Sequence, residues 1–219
     1  MSAAENHHAV LSRLREEIRR IERRPARREG FLSSGLAEVD AVLPGGGFPR
    51  GALAELAGGP ASGKTGVALS VIASLGGRDL AAYVDGRGEL YPPAAAALGV
   101  DLSRLLIVRP DARAAPGRDP SLGALWAMEA LLASGAFAAV AVDAGWPAAL
   151  RGADGVARRL HAAAERGGAA GLWLSHGDGA RPPAALRVEI EARSGRVVAR
   201  RTVAGAAVPE RARGGGHAA

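Results

Sequence analysis

The sequence predicts an α/β fold: a mostly parallel twisted sheet with helices on both faces and an antiparallel edge near the C-terminal end. Three observations predict it. Short apolar runs alternate with helical segments from residue 52 onward. A glycine-rich turn joins the first of these runs to an apolar helix. Two alternating segments, Leu186–Ala192 and Val197–Val203, flank the turn Arg193-Ser194-Gly195 and read as a hairpin. The 219 residues suffice for one domain with short appendages.

The elements follow in order. Residues 1–30 form a separate basic segment. Within it Leu11, Leu14, Ile18 and Ile21 recur at helical spacing, and Arg13, Glu16, Glu17, Arg20 and Arg24 fill the other faces. Pro25 ends the pattern. This helix reads either as packed on its own domain or as a docking helix for a neighbour. The core is expected over 31–208. A short helix near Leu36–Leu43 precedes a tight Gly/Pro turn. Strands are expected at Ala52–Ala57, Leu80–Val84, Leu105–Val108, Ala136–Val142 and Ala170–Leu174. Helices are expected at Lys64–Leu75, Pro92–Leu98, Ser121–Ala133 and Val156–Arg166. The tail 209–219 is Gly, Arg and Ala and is expected to be disordered.

Composition narrows the function classes. There is no cysteine, which excludes disulfides, thiolate metal sites and cysteine nucleophiles and predicts a cytoplasmic protein. The first thirty residues lack the apolar run of a signal peptide, and no apolar stretch is long enough to span a membrane. Aromatics are only 4%, too few for extensive base stacking. The net charge is +6, and only one of the 28 basic residues is lysine, Lys64. Such a balance suits acidic partners or weak DNA binding, and it equally suits compositional drift.

That lysine sits in the one complete chemical motif. Gly58-Gly59-Pro60-Ala61-Ser62-Gly63-Lys64-Thr65 matches the phosphate loop G-x-x-x-x-G-K-[ST], with a strand before it and an apolar helix after it. Glycines let backbone N–H groups turn toward phosphate oxygens, and the helix start adds its positive dipole end. Lys64 would reach the outer phosphates of ATP. The Thr65 hydroxyl would ligate Mg2+. The apolar run Phe137–Val142 ends at Asp143, a second candidate for the metal ion. Leu80–Val84 likewise ends at Asp85, a candidate for orienting an attacking water.

From Ser34 to Pro209 the chain resembles a RecA-type ATPase core. The resemblance rests on Ser34-Gly-Leu-Ala-Glu-Val-Asp-Ala-Val-Leu-Pro-Gly-Gly-Gly-Phe-Pro-Arg-Gly51, on Glu55 with the phosphate loop, and on Tyr83-Val-Asp-Gly-Arg-Gly-Glu-Leu-Tyr-Pro92. Within that family it most resembles ImuA-like accessory proteins. That likeness implies a RecA-like fold and a role in the SOS response and error-prone translesion synthesis. It also implies two partners, an ImuB-like Y-family polymerase homologue and RecA, and a nucleoid-associated location.

Departures from the recombinase pattern shape the functional expectation. The catalytic glutamate of recombinases falls on Arg87, which cannot act as a base; Glu89 could substitute only if the loop shifts. The adenine-stacking tyrosine falls on Ala94, leaving Tyr91 as the nearest replacement. The DNA-binding loops after Asp143 and Ser175 are short, and His176 stands where the family senses phosphate. The expectation is therefore ATP binding with weak or no hydrolysis; the alternative is a DNA-stimulated ATPase or minimal recombinase. Arg200 and Arg201 are candidates for an interface finger or for plain solvent-facing charge. The run Arg19, Arg20, Arg23, Arg24, Arg27 and Arg28 shares its segment with five glutamates, so docking is as well supported as DNA binding. The histidines show no metal-site spacing. Trp126 is expected in the core and Trp146 at the surface.

Overall fold

The computed structural model describes residues 30–111, 120–147, 153–176, 181–193 and 196–202. The N-terminal stripe Leu11, Leu14, Ile18 and Ile21, the arginine run beside it and the tail 209–219 lie outside the described residues.

A two-residue ribbon pairs β1 (Phe31–Leu32) with β2 (Phe48–Pro49) antiparallel. Between them lies α1 (Ala37–Asp40), shorter than the helix expected over 36–43. The helix closes at Ala41, and Pro44-Gly45-Gly46 then forms a tight 3-10 turn in which Gly45 takes φ 68°, a conformation that favours glycine. Ser70 Oγ and Ser74 Oγ donate to the carbonyls of Ser34 and Ser33, both at 2.7 Å, and pin this lead-in to the helix behind it.

The main sheet contains β3 (Leu53–Gly58), β4 (Leu80–Asp85), β5 (Leu105–Val108), β6 (Phe137–Asp143), β7 (Ala170–His176), β8 (Leu186–Arg193) and β9 (Arg196–Thr202). Its order is β5-β4-β6-β7-β3-β8-β9. Every pairing is parallel except β8 with β9, the antiparallel edge that the sequence predicts. Strands such as β6 are apolar on both faces because helices cover both faces.

On one face lie α2 (Lys64–Ala73) and α3 (Pro92–Ala97), with Val67, Val71, Ile72, Leu56, Leu172 and Val188 in the core between. On the other lie α4 (Pro120–Ser134) and α5 (Ala153–Gly167), packed on Leu53, Val140, Val142 and Trp173. Burying each such side chain contributes roughly 1.5–3 kcal/mol.

The two tryptophan expectations are reversed. Trp126 is 73% exposed, because α4 turns Ala124, Leu125, Met128 and Leu132 inward instead. Trp146 is half-buried, edge-on against Trp173 with ring centroids 4.9 Å apart. Among the described residues no helix is long and apolar enough to cross a membrane.

Candidate functional site

β3 delivers the chain into the loop at Gly58, and α2 begins at Lys64. A Cβ on Gly58 would lie 2.5 Å from the Ile190 carbonyl oxygen and 2.5 Å from Ser62 Oγ, so no other residue fits. Ala61 and Gly63 take left-handed backbone, φ 56° and 91°. Such turns aim successive N–H groups into one concavity. The first backbone bond of α2 runs from Val67 N–H to Gly63 O at 3.0 Å, so the N–H groups of Lys64, Thr65 and Gly66 stand ahead of it. Ser62 Oγ is buried there with no hydrogen-bond partner. A cradle that a side chain would fill, lined by donors and an orphaned hydroxyl, fits the phosphates of a nucleotide.

Lys64 is 4% exposed, and its Nζ donates to Gly58 O and Gly59 O, both at 3.0 Å. Burial lowers its pKa; Asp143 opposes that effect and Arg87 adds to it. These three charges therefore feel one another across the mouth of the loop.

The sheet register assembles the rest at the carboxyl edge, where ligands bind in open parallel sheets. Gly58 stands beside His176, and Asp85 beside Asp143. His176 Nε2 lies 2.5 Å from Asp143 Oδ1. Tyr83 O–H donates to Asp143 Oδ2 at 3.2 Å. Burial, reinforced by the charge of Asp143, raises the Tyr83 pKa far above the ordinary tyrosine value, so the phenol stays a donor. Thr65 sits half-buried at the start of α2 and is the right type of group for magnesium. Each oxygen of Asp143 thus carries one partner within the chain, Tyr83 on Oδ2 and His176 on Oδ1, which leaves lone pairs on the carboxylate for a metal ion or its water.

The loop after β4 separates the carboxylate candidates. Asp85 is 2% exposed. It accepts from Glu89 N–H at 3.0 Å, from Leu90 N–H at 3.3 Å and from Arg109 Nε at 2.9 Å. Three of its hydrogen bonds brace the loop, and the carboxylate is buried behind it. Arg87 donates to Glu89 through Nε at 3.0 Å and a terminal nitrogen at 2.7 Å. That fork lowers the Glu89 pKa, an effect His176 reinforces, and raises that of Arg87. Glu89 is thus held by Arg87. Tyr91 is 66% exposed at the start of α3, with none of these residues as a partner among those described. Arg200 and Arg201 are exposed on β9 opposite Glu189 and Val188, and neither joins the cluster.

Four residues at or behind the site escape sequence reasoning. Tyr83, Arg109, Arg187 and Trp173 act through pairs that only strand register reveals. β4 and β5 pair Val84 with Val108, which brings the next residues, Asp85 and Arg109, together. β3 and β8 pair Glu55 with Arg187, whose Nε lies 2.6 Å from Glu55 Oε2. Trp173 donates to Ala144 O at 3.0 Å and anchors the chain leaving Asp143.

A phosphate loop at the carboxyl edge of a parallel sheet, running straight into a helix, defines a P-loop domain of the α/β class. The chain belongs to the RecA N-terminal domain family, which matches residues 14–161. It is similar to Protein RecA of Clostridioides difficile strain 630, with 41% identity over 115 residues, 51% of this chain and 30% of that protein. Protein RecA of Symbiobacterium thermophilum is 43% identical over 115 residues, again 51% of this chain and 30% of the relative. Protein RecA of Arthrospira platensis is 48% identical over 83 residues, 36% of this chain and 22% of the relative. These matches span less than a third of each relative's length.

Proposed function

We propose that this chain is a nucleotide-binding accessory protein of DNA repair, one that binds ATP and hydrolyses it weakly or not at all. Arg87 is the observation that carries the reading. It presents a guanidinium where a recombinase would present a water-activating carboxylate, and it engages Glu89, the nearest substitute, through two hydrogen bonds. ATP would be held by the backbone N–H groups of the loop and by Lys64, and it would supply the negative charge that this donor set lacks. Asp143, held by Tyr83 and His176, contributes position and charge to the pocket.

The likeness to ImuA-like proteins narrows the role to the SOS response and error-prone translesion synthesis. The partners are then an ImuB-like Y-family polymerase homologue and RecA itself. The short segments after Asp143 and Ser175 support protein contact over a recombinase's grip on DNA, and the basic N-terminal segment supplies at most weak DNA binding. Such a protein works in the cytoplasm at the nucleoid. The test is direct binding of the purified full chain to purified RecA and to the polymerase homologue. Binding to either supports the accessory role, and binding to neither abandons it.

A further inference from the structure

The loop after β4 is built with more care than an exposed turn requires. Gly86 N–H donates to Asp143 O at 3.0 Å. A Cβ on Gly86 would stand 2.8 Å from Ala144 Cβ and 3.1 Å from Asp143 O, so the loop lies directly on the end of β6. From behind, Asp85 accepts from Glu89 N–H and Leu90 N–H and is itself held by Arg109. Gly88 makes the turn with φ 70°. This bracing serves one side chain, Arg87, whose Nε stands 3.9 Å from Asp143 Oδ1 at the mouth of the phosphate loop.

What Arg87 touches is replaceable. Its partner Glu89 is 60% exposed, and an exposed ion pair contributes little stability. The guanidinium offers a planar fork that matches phosphate oxygens as well as it matches a carboxylate. Asp143, the acid expected to hold magnesium, already carries Tyr83 and His176, which compete with a metal ion for its lone pairs. Positive charge supplied by the chain then matters more to a triphosphate, and Arg87 stands beside Asp143 at this edge.

We propose that Arg87 is a phosphate-binding side chain: it exchanges the Glu89 carboxylate for the terminal phosphate of a nucleoside triphosphate seated on the Gly58–Thr65 loop, so that binding favours triphosphate over diphosphate and depends only weakly on magnesium. The proposal rests on the nucleotide reading above and adds which group reads the last phosphate. Position carries the assignment. The loop and helix start take the inner phosphates, Lys64 spans to the outer ones, and past His176 and Asp143 the next arginine along the described sheet edge is Arg87.

The experiment is equilibrium titration of the full chain with fluorescent N-methylanthraniloyl ATP and ADP, each in magnesium and in EDTA. Wild type is compared with Arg87→Ala, Arg87→Lys and Glu89→Gln, with circular dichroism confirming the fold of each. Wild type is expected to prefer ATP by about tenfold or more and to lose less than about tenfold on chelation, as charge-assisted phosphate contacts made by the chain would give. Arg87→Ala is expected to weaken ATP by about 10- to 100-fold and leave ADP unchanged, since only the terminal phosphate loses a partner. Arg87→Lys should restore part of the preference, and Glu89→Gln should strengthen ATP binding by removing the competing carboxylate. If Arg87→Ala binds both nucleotides in the wild-type ratio, the proposal is overturned while the phosphate-loop reading stands. If wild type binds neither nucleotide, both fall.

Discussion

Replacing Arg187 with methionine tests whether the strand that delivers the phosphate loop depends on a buried charge pair. Glu55 lies on β3, three residues before Gly58, and its side chain is fully buried. Arg187 on β8 gives it two donors, Nε at 2.6 Å and a terminal nitrogen at 2.5 Å, both to Oε2. The other oxygen, Oε1, has no partner. Arg187→Met removes the cation that, among the described residues, is matched to that carboxylate and leaves a charge in the core, a class of change that costs about 3–5 kcal/mol. With a urea dependence of about 2 kcal/mol per M, the unfolding midpoint should fall by about 1.5–2.5 M. The double variant Glu55→Leu/Arg187→Met removes both charges and should recover most of that loss, because paired buried charges contribute little net stability. Urea unfolding followed by circular dichroism reads both single variants, Arg187→Met and Glu55→Leu, and the double variant. A midpoint shift below about 0.3 M for Arg187→Met, or a double variant whose loss equals the sum of the singles, would refute the reasoning.

Three further predictions follow from the same geometry. Asp85→Ala strands two backbone N–H groups and Arg109, and should cost about 1.5–3 kcal/mol in urea unfolding, whereas a solvent-facing water-orienting acid would cost almost nothing. In a Tyr91→Phe background Tyr83 is the only tyrosine left, and its raised pKa means the folded chain keeps a proton that the unfolded chain releases. Its contribution to stability is therefore complete below pH of about 10 and is lost as pH rises beyond, so phenolate absorbance should appear only together with unfolding. Trp126→Phe should change stability by less than about 0.5 kcal/mol and abolish the fluorescence that acrylamide quenches most readily, because Trp126 is exposed while Trp146 and Trp173 pack against each other.

What was legible in the sequence is what local chemistry determines. A short all-apolar run such as Phe137–Val142, too short for a buried helix, reads as a strand covered on both faces, and β6 is one. The antiparallel edge followed from the alternation on either side of Arg193-Ser194-Gly195. The β1–β2 ribbon was not legible, because two-residue strands carry no period. Trp126 was misread because the apolar pattern of α4 is nearly continuous around the helix, so sequence spacing could not say which face is buried; Trp146 was misread because its ring partner, Trp173, lies on another strand. The site divides the same way. A contiguous motif announced Gly58–Thr65, whereas the side-chain partners of Asp85, Glu55 and Asp143 are distant in sequence and become neighbours only through register. Asp85 and Asp143 look alike as strand-ending acids. The structure distinguishes them by what fills their oxygens: backbone N–H groups and Arg109 for one, Tyr83 and His176 for the other.

The measurement that bears most directly on the central claim is ATP binding by the purified full chain, with turnover read in the same sample, with and without single-stranded DNA, for wild type and Lys64→Ala. The account predicts saturable binding by wild type, negligible turnover in either condition, and loss of binding in Lys64→Ala with the fold retained. Turnover that single-stranded DNA accelerates and Lys64→Ala abolishes would contradict it, and would make the chain a working ATPase in which Glu89 or another group activates water.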